Sequence, residues 1–412
     1  MPNAWRETTV ASIASVVTRG RAPAYEGGKT PVLNQKCIRE GFLDLRPLKY
    51  TNESTRPIAE IALLQPGDVV ITSTGRGTVG RSAAIPDDIG RITCDTHVTI
   101  VRPSPDQVVS AFLAILLGHN KNELEARATG STNQLELGRG AISSFPLLLP
   151  PLEEQRRIAH LVDALDAALA LARDVAAKGE GFRSALLEAR IGDGLAHELA
   201  EAQPLRDLMV RVTRPVKVRS DNEYAQIGIR SFGRGFFHKA VVNGTELGSK
   251  RIFEIRQGDL VFNIVFAWEG AVALAGEDED TKVGSHRFPT YIPNDEKVDR
   301  RYLLNFFRSK PGVELLQRMS PGSAGRNRTL NQTRLLDNAI AVPPLSFQQE
   351  TVAILDALEG QIAGSDARIA TLSNFRTAAI AELLAGTHTI PASYDDILQT
   401  EVGNAHLLTA VA

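Results

Sequence analysis

A duplication inside the chain constrains its fold more than any other feature of the sequence. The Pro-Pro-Leu of residues 150–152 recurs at residues 343–345, and the Gly-Asp of residues 67–68 recurs at residues 258–259. Four further matches keep the same order along the chain: Gln155 with Gln348, Asp163-Ala164-Leu165 with Asp356-Ala357-Leu358, Phe182-Arg183 with Phe375-Arg376, and Ile38-Arg39 with Ile229-Arg230. The repeated segment spans about 190 residues, far longer than the roughly 20–50 residues of a solenoid repeat. We therefore infer a whole domain followed by a helix, used twice.

Each copy contains the same order of predicted elements. Short apolar runs such as 69–71 and 260–262, bounded by glycine, proline and aspartate, predict strands. A short helical segment, a polar glycine-rich loop and another strand follow, before the Pro-Pro stop and a long helix. The predicted fold class is α+β, with two β-rich domains in a pseudo-two-fold repeat, separated by two long helices that form an antiparallel coiled coil. The predicted boundaries are residues 1–150 and 196–342 for the domains, 151–195 and 343–386 for the spacer helices, and 387–412 for a C-terminal tail.

The two long helices carry apolar side chains at close to a 3.5-residue spacing, which is typical of a coiled coil. Glu153 and Glu154 complement the positive end of the first helix, and Gly179 and Gly181 are expected to kink or loosen its second half. A helix of this length extends about 55–60 Å and is long enough to act as a ruler between the domains. The predicted seam contains nine side chains: Gln155, Ile158, Leu165, Leu169, Phe182, Gln348, Leu358, Ile362 and Phe375.

Charge is distributed unevenly along the chain. The net charge is −2, yet Lys plus Arg outnumber Asp plus Glu by 16 to 14 in residues 1–151 and by 22 to 17 in residues 201–342. The acidic excess lies in the two helical connectors and the C-terminal tail. Because nucleic-acid binding depends on local positive potential, a near-neutral total does not exclude it.

Several other classes of protein are disfavoured by composition. No apolar stretch approaches the eighteen residues of a membrane-spanning helix, and the polar start lacks the apolar core of a signal peptide. We therefore expect a cytoplasmic protein. Cys37 and Cys94 show no metal-ligand spacing and are interpreted as reduced core residues.

The familiar catalytic motifs are absent or out of context. The G-x-G-x-x-G match at residues 75–80 is followed by a segment containing proline and glycine rather than by a helix, so we interpret it as a glycine turn between strands. No P-loop and no methyl-transfer motif is present. His97 and His286 are interpreted as packed or hydrogen-bonded core residues, and the acidic run 277–280 as a solvated loop rather than a calcium site.

Polar and basic side chains of the predicted loops are the candidates for DNA contact. Asn and Gln pair with adenine, while Arg pairs with guanine or holds phosphate. Most such contacts position the protein on phosphate rather than read bases. The candidates in the first copy are Lys36, Arg39, Thr74, Arg76, Arg81, Ser131, Asn133 and Gln134. Those in the second copy are Arg230, Arg234, Arg326, Asn327 and Arg328. An ordinary polar turn is the competing interpretation for each loop.

This order of motifs resembles the target-recognition domain and following helix of type I restriction–modification specificity subunits. The motifs are Gly-Asp-Val-Val-Ile at 67–71, the glycine turn at 74–80, Gly-Ser-Thr-Asn-Gln at 130–134 and Pro-Pro-Leu-Glu-Glu-Gln-Arg-Arg-Ile at 150–158. The second copy repeats them at 258–262, 322–330 and 343–350, so the resemblance covers roughly residues 1–386. It departs by having Ser346-Phe347 in place of Glu153-Glu154 and Phe266–Gly270 in place of the glycine turn, a divergence expected of domains that read different half-sites.

The resemblance implies a non-catalytic subunit that reads a bipartite, asymmetric DNA target, one half with each domain. It implies two methyltransferase (modification) subunits as partners, with motor-nuclease (restriction) subunits joining for restriction and defence against phage. S-adenosylmethionine, ATP and Mg²⁺ would belong to those partners, so no cofactor or metal is expected in this chain. Two alternatives stay open at this stage: a single-chain enzyme, which the missing motifs disfavour, and an orphan coiled-coil scaffold without its own DNA target.

Overall fold

The computed structural model describes residues 5–130, 135–192, 200–322 and 328–397. The chain divides into two compact units: unit 1 comprises Met1–Ala172 and Arg368–Ala412, and unit 2 comprises Arg173–Ala367. Both boundaries fall inside the long helices. Each unit therefore contains one β-rich domain together with part of each long helix.

In unit 1, eight short strands are followed by three short helices and a ninth strand before the first long helix. The strands are β1 (Arg6–Thr9), β2 (Ala14–Arg19), β3 (Thr30–Leu33), β4 (Lys49–Thr51), β5 (Val69–Thr72), β6 (Ser82–Ala84), β7 (Thr93–Cys94), β8 (Val98–Pro103) and β9 (Pro146–Leu149). The helices are α1 (Ser110–His119), α2 (Lys121–Ala126), α3 (Arg139–Ser143) and the first 21 residues of α4 (Leu152–Ile191).

The elements of unit 2 follow α4 in the same general order. The strands are β10 (Glu201–Pro204), β11 (Met209–Val212), β12 (Pro215–Val216), β13 (Glu223–Tyr224), β14 (Ile227–Ile229), β15 (Phe236–His238), β16 (Val242–Asn243), β17 (Ile252–Glu254), β18 (Leu260–Phe262), β19 (Val272–Leu274), β20 (Val283–Ser285), β21 (Thr290–Pro293) and β22 (Ala339–Val342). The helices are α5 (Leu205–Leu208), α6 (Gly244–Leu247), α7 (Arg300–Arg308), α8 (Lys310–Arg318), α9 (Gln332–Leu336) and α10 (Leu345–Leu384), which ends in unit 1.

The central sheets of the two units have the same topology. In unit 1 the four-stranded sheet has the order β2-β8-β5-β6, and in unit 2 it has the order β11-β21-β18-β19. All of these pairings are antiparallel. A separate two-stranded pair, β1-β9 or β10-β22, leads to each Pro-Pro stop. The predicted α+β class with a duplicated β-rich domain is thereby confirmed.

The repeated Gly-Asp of each copy forms a turn that holds a buried carboxylate. Gly67 and Gly258 have φ of 80° and 87°, a left-handed conformation that glycine adopts without a steric penalty. In unit 1, Asp68 accepts two hydrogen bonds from Arg102, at 2.8 and 2.9 Å. In unit 2, Asp259 accepts two from Arg214, at 2.6 and 3.1 Å. These hydrogen bonds raise the pKa of both guanidinium groups above the ordinary value.

The repeated glutamine of the Pro-Pro-Leu-x-x-Gln motif attaches each long helix to the domain of the same unit. Gln155 accepts a hydrogen bond from the Val109 backbone N–H at 2.9 Å and donates one to the Pro150 carbonyl at 2.8 Å. Gln348 accepts from the Asp299 N–H at 2.8 Å and donates to the Pro343 carbonyl at 2.7 Å. Both glutamines are buried. The prediction that they lie in the seam between helices is wrong, because their side chains satisfy backbone groups at the starts of α1 and α7.

The long helices pair antiparallel within each unit. In unit 2, a Cβ built on Gly179 would lie 3.1 Å from the Ile362 side chain, and Arg190 forms an ion pair with Glu350 at 3.2 Å. As the residue number rises along α4, the number of its partner on α10 falls. In unit 1, the Arg376 guanidinium donates to both carboxylate oxygens of Asp166. The antiparallel coiled-coil prediction is confirmed, and Gly179 serves close packing within a continuous helix rather than a kink.

The nine predicted seam residues divide into buried, half-buried and exposed groups. Ile158, Leu169 and Ile362 are buried, and Leu165 and Leu358 are half-buried. Phe182 and Phe375 are 59% and 56% exposed, so their predicted place in the seam is wrong. The neighbouring arginines take the inward positions instead: Arg376 contacts Asp166, and Arg183 lies 3.9 Å from Glu359. The repeated Phe-Arg pair thus directs its charge to the partner helix and its ring to solvent.

The structure also tests three smaller expectations. Cys37 and Cys94 are buried and free, as predicted. His97 and His286 are exposed, so they are not core residues. The acidic run forms a 3-10 turn (Glu277–Glu279), and Glu279 is buried in it. The Glu279 carboxylate accepts a hydrogen bond from the Gly276 N–H at 3.0 Å and lies 2.6 Å from the His238 ring nitrogen, so the buried carboxylate has polar partners.

The segment after α10 folds back on α4 in unit 1, and we call residues 390–395 the C-terminal strap. Arg157 donates two hydrogen bonds to Asp395, at 2.7 and 2.6 Å, and the His160 ring nitrogen lies 2.9 Å from the Tyr394 hydroxyl. Ile390 is buried in the core of unit 1. The beginning of the predicted tail is therefore an ordered part of the unit. No helix in the described residues is both long and apolar enough to cross a membrane.

Candidate nucleic-acid interface

The glycine turn of unit 1 presents backbone and an arginine between two strands of the central sheet. Gly75, Gly77 and Gly80 have φ of 91°, 73° and 82°. This left-handed backbone favours glycine at each of the three positions. β6 follows the turn, as the sequence predicts for a turn between strands and not for a dinucleotide site. Arg76 lies on the turn with its side chain exposed. The Glu125 carboxylate accepts a hydrogen bond from the Gly77 N–H at 3.0 Å and so fixes the turn.

A small polar network lies at the start of this turn. The Thr74 hydroxyl is 2.7 Å from His97 Nδ1 and 3.4 Å from the Gln35 side-chain oxygen. Exposed Lys36 follows Gln35 in the chain, and its backbone N–H donates to the Asn34 side chain at 2.9 Å. The structure therefore brings together two predicted residues, Thr74 and Lys36, with hydrogen-bonding groups that suit base edges or phosphate.

Arg39 and Arg81 make contacts of a different kind from those predicted. The Arg39 guanidinium contacts Asp44 at 3.3 Å, and Asp44 also binds Arg46 through two hydrogen bonds. The hydrogen bond from Arg46 holds the pKa of Asp44 well below its usual range. Arg81 lines a cavity of about 190 Å³ together with residues of α10, including Arg376. Arg39 is therefore paired within unit 1, whereas the buried Nε of Arg81 has no hydrogen-bond partner among the described residues.

In unit 2 the predicted arginines come from two chain segments. β14 and β15 form a hairpin in which Ile229 pairs with Phe236, so residues 230–235 form its loop. Arg230 and Arg234 are exposed on this loop, and their guanidinium carbons lie 5.3 and 5.8 Å from the ring centres of Phe237 and Phe232. These cation–π pairs orient the two guanidinium groups, and Arg230 also donates a hydrogen bond to the Phe236 carbonyl.

Arg328 joins the same surface through an aromatic side chain. Its guanidinium lies 4.9 Å from the ring centre of Trp268, and the Trp268 indole N–H donates to the Val265 carbonyl at 3.1 Å. Trp268 and Phe232 line one cleft of about 400 Å³ in unit 2, with Arg183 and Arg308 among the other lining residues. Burial lowers the pKa of Arg308, and its Nε has no hydrogen-bond partner among the described residues.

Five predicted DNA-contact residues fall outside the described residues: Ser131, Asn133, Gln134, Arg326 and Asn327. Their contribution stays a prediction from the sequence. Arg328 directly follows the second of these stretches.

The sequence predictions missed four residues of these surfaces: Gln35, His97, Phe232 and Trp268. His97 is distant in sequence from Thr74 and meets it because β5 lies beside β8. Gln35 reaches Thr74 from just after the end of β3, a strand of another sheet of unit 1. Phe232 carried a usable signal, since an aromatic residue inside the Ser-Phe-Gly-Arg-Gly run of residues 231–235 is unusual for a loop of glycine and charge.

Two β-rich domains with the same sheet order, each attached by a buried glutamine to an antiparallel helix pair, form a duplicated module. Residues 5–130, 135–192, 200–322 and 328–397 contain no cluster of side chains that could hold a metal ion. The chain matches the family described as Type I restriction modification DNA specificity domain over residues 2–178 and 214–374. It therefore belongs to this family, and the resemblance noted in the sequence is confirmed.

Individual relatives are distant. The putative type I restriction enzyme MjaX specificity subunit of Methanocaldococcus jannaschii is 23% identical over 172 residues, which is 40% of each protein. The chain thus spans less than half the length of this curated relative in the matched region. The type I restriction–modification S subunit from M. genitalium is 13% identical over 93% of this chain and 97% of its own, with a TM-score of 0.57. A chain from a study of type I R-M complex assembly and conformational transition is 18% identical over 93% of this chain and 98% of its own, with a TM-score of 0.56. These two likenesses support the fold.

Proposed function

We propose that this chain is the DNA-specificity subunit of a type I restriction–modification complex, and that each unit reads one half of a bipartite, asymmetric target. The observation that carries the proposal is the duplication of one architecture, with the same sheet order and the same glutamine attachment, under loops that differ between units. A shared frame with different loops suits one protein that reads two different half-sites. The long helices would set the gap between those halves.

The chemistry of methylation and restriction would then belong to partner subunits. The proposal includes two methyltransferase subunits and motor-nuclease subunits as partners, S-adenosylmethionine, ATP and Mg²⁺ as their cofactors, and a cytoplasmic location. This chain would contribute target choice alone and no catalytic group. The support is membership of the specificity family and a sequence without methyl-transfer or P-loop motifs.

Two equivalent exposed rings support the presence of two identical partners. Phe182 in unit 2 and Phe375 in unit 1 occupy matching positions of the repeat, and both extend from a long helix into solvent. An exposed aromatic ring on a helix is a common anchor for a partner chain. One partner copy per unit follows from the repeat, because the same side chain would engage the same partner surface twice.

Replacing these rings should change partner stoichiometry without unfolding the chain. With Phe182→Ala or Phe375→Ala, we expect loss of one methyltransferase copy and a one-to-one complex, and the double variant should bind neither copy. Mass photometry or native mass spectrometry of co-expressed subunits measures this. Leu171→Ala, which removes another exposed apolar side chain of α4, is the matched control. Retention of two copies by the double variant would contradict this docking surface.

Long-read methylation mapping tests the proposed function directly. Cells that express this chain with its neighbouring methyltransferase subunit should acquire methylation at a bipartite motif of fixed gap, and deletion of this chain should abolish it. Exchange of one β-rich domain for that of a relative should change one half of the motif alone. Active partner subunits that methylate no motif dependent on this chain would overturn the proposal.

A further inference from the structure

Phe232 holds a backbone conformation that its side chain disfavours. Its φ is 61°, in the left-handed region, where a bulky residue other than glycine is an outlier. In the corresponding loop of unit 1, which is two residues shorter, the left-handed residue is Gly41, with φ of 92°. Unit 2 therefore accepts at Phe232 a steric strain from the Cβ that a glycine avoids.

The ring gains no compensating burial. Phe232 is 72% exposed, so the hydrophobic effect on folding does not explain its presence. Its backbone is held firmly: its N–H donates to the Glu269 carbonyl at 2.7 Å, and the next residue, Gly233, donates to the Gly270 carbonyl at 3.1 Å. Ser231 donates to the Glu269 carboxylate at 2.6 Å. The loop therefore presents a preorganised, protruding ring.

Three arginines lie near this ring, and the Glu269 carboxylate, which accepts the hydrogen bond from Ser231, lines the same cleft. Arg234 lies over its face, and Arg230 and Arg328 stack on the nearby Phe237 and Trp268. Within the described residues of unit 2, no carboxylate forms an ion pair with any of these three arginines. Arg230 donates one hydrogen bond to the Phe236 carbonyl. A protruding apolar ring beside three arginines without a carboxylate partner in the described part of unit 2 matches a polyanion whose apolar interior opens at a step between stacked bases.

We infer that Phe232 is a wedge that inserts at a base step of the half-site read by unit 2, while Arg230, Arg234 and Arg328 hold the flanking phosphates. This rests on the proposed function and adds to it a residue and a mode of reading. Side chains that insert between bases read the deformability of a step rather than its edges. In unit 1 the corresponding loop, residues 39–42, has its exposed ring at Phe42, one residue after Gly41. In unit 2 the exposed ring belongs to the left-handed residue itself and is held by the backbone hydrogen bonds of that residue.

The test replaces the ring while relieving the strain. Phe232→Gly and Phe232→Asn both suit a left-handed backbone, so both should fold at least as stably as the natural chain. In the complex with methyltransferase subunits, we expect each to bind the mapped target on the order of 10- to 100-fold more weakly. Methylation should also become tolerant of changes at one step of the unit 2 half-site, with the unit 1 half unchanged. Phe232→Leu, which keeps an apolar wedge, should retain most of the affinity.

A fluorescent base analogue reports insertion itself. 2-Aminopurine placed singly along the unit 2 half-site should brighten at one step when the natural complex binds, and this signal should vanish with Phe232→Gly. Val210→Ala, an equally exposed apolar change in unit 2, is the control and should alter neither signal nor affinity. Unchanged affinity, motif and fluorescence in Phe232→Gly would overturn the inference, even with the natural complex specific for its target. A loss of methyltransferase copies with DNA reading intact would assign the ring to protein docking and overturn it equally. Failure of the natural complex to recognise any target would instead count against the proposed function.

Discussion

Unit 1 and unit 2 keep the same buried contacts and differ in their exposed loops. Each has a buried aspartate after a left-handed glycine, but the arginine that neutralises it comes from β8 in unit 1 and from the residue pair after β11 in unit 2. The hairpin loops differ more, since four residues separate Ile38 from its partner Leu43, whereas six separate Ile229 from Phe236. A buried polar group needs a hydrogen-bond partner, but that partner can come from different segments of the chain. Polar groups of exposed loops can bind water instead, so the loops are free to differ. The frame is therefore common to both units and the recognition surface is specific to each.

The largest expected effect comes from removing the buried aspartates. Asp68→Ala should lower the free energy of unfolding of unit 1 by about 3–5 kcal/mol, because Arg102 is left with an uncompensated charge. Asp259→Ala should do the same to unit 2 through Arg214. Hydrogen exchange resolved by segment assigns each loss to its unit.

A double variant separates the charge from the volume of the side chains. Asp68→Leu with Arg102→Met replaces the ion pair by apolar groups and should recover much of the stability. If Asp68→Ala unfolds unit 1 while Asp259→Ala leaves unit 2 intact, the two turns do not perform the same structural role and the comparison fails there.

A smaller loss is expected from the glutamines that attach the helices. Gln155→Met and Gln348→Met keep the volume but leave a backbone N–H and a carbonyl without partners, which should cost about 1–3 kcal/mol each. Urea unfolding followed by circular dichroism measures the change. Gln361→Met, at an exposed site of α10, is the control and should have almost no effect. Equal behaviour of all three variants would show that the attachment contributes no stability.

The smallest effect is expected at the C-terminal strap, which is present in unit 1 alone. Asp395→Asn removes the ion pair of the C-terminal strap, so hydrogen exchange of residues 390–397 and of the facing part of α4 should rise in unit 1 alone. Arg157 lowers the pKa of Asp395 below its ordinary value of 3.8. The strap is therefore held above that pH and released only as the pH falls below it, and the variant should show the same difference at pH 6 and pH 8.

One control variant tests whether the effect is specific to the strap. Asp174→Asn disrupts an exposed ion pair within α4 and should leave the strap unchanged. Protection of the strap in Asp395→Asn equal to that of the natural chain would mean that Ile390 and Tyr394 hold it without the ion pair.

Residue patterns predicted the elements better than the faces they present. The apolar periodicity identified both long helices, and the glycine spacing identified the turn at residues 75–80. Periodicity defines an apolar stripe, but each long helix packs on its own domain as well as on the other helix. Gln155 and Gln348 were therefore assigned to the wrong contact, and Phe182 and Phe375 to the wrong side of the helix.

Some residues of the candidate interface were predictable from the sequence and others were not. The basic loop residues were visible because charge and glycine cluster in the sequence, and Arg230, Arg234 and Arg328 do share a surface of unit 2. Phe232 could have been noticed in its run of glycine and charge, but Phe237 and Trp268 could not, because they meet Arg230 and Arg328 only after β14, β15 and the segment before β19 are folded.

The sequence by itself determined the duplication, the element order and the family, since these depend on local spacing and repeated motifs along one chain. The tertiary structure decided which arginine neutralises each buried aspartate, that Phe182 and Phe375 face solvent, and that Phe232 adopts a left-handed backbone conformation. These are contacts between residues far apart in the chain, and burial, hydrogen-bond satisfaction and backbone conformation fix them only when the strands and helices are assembled.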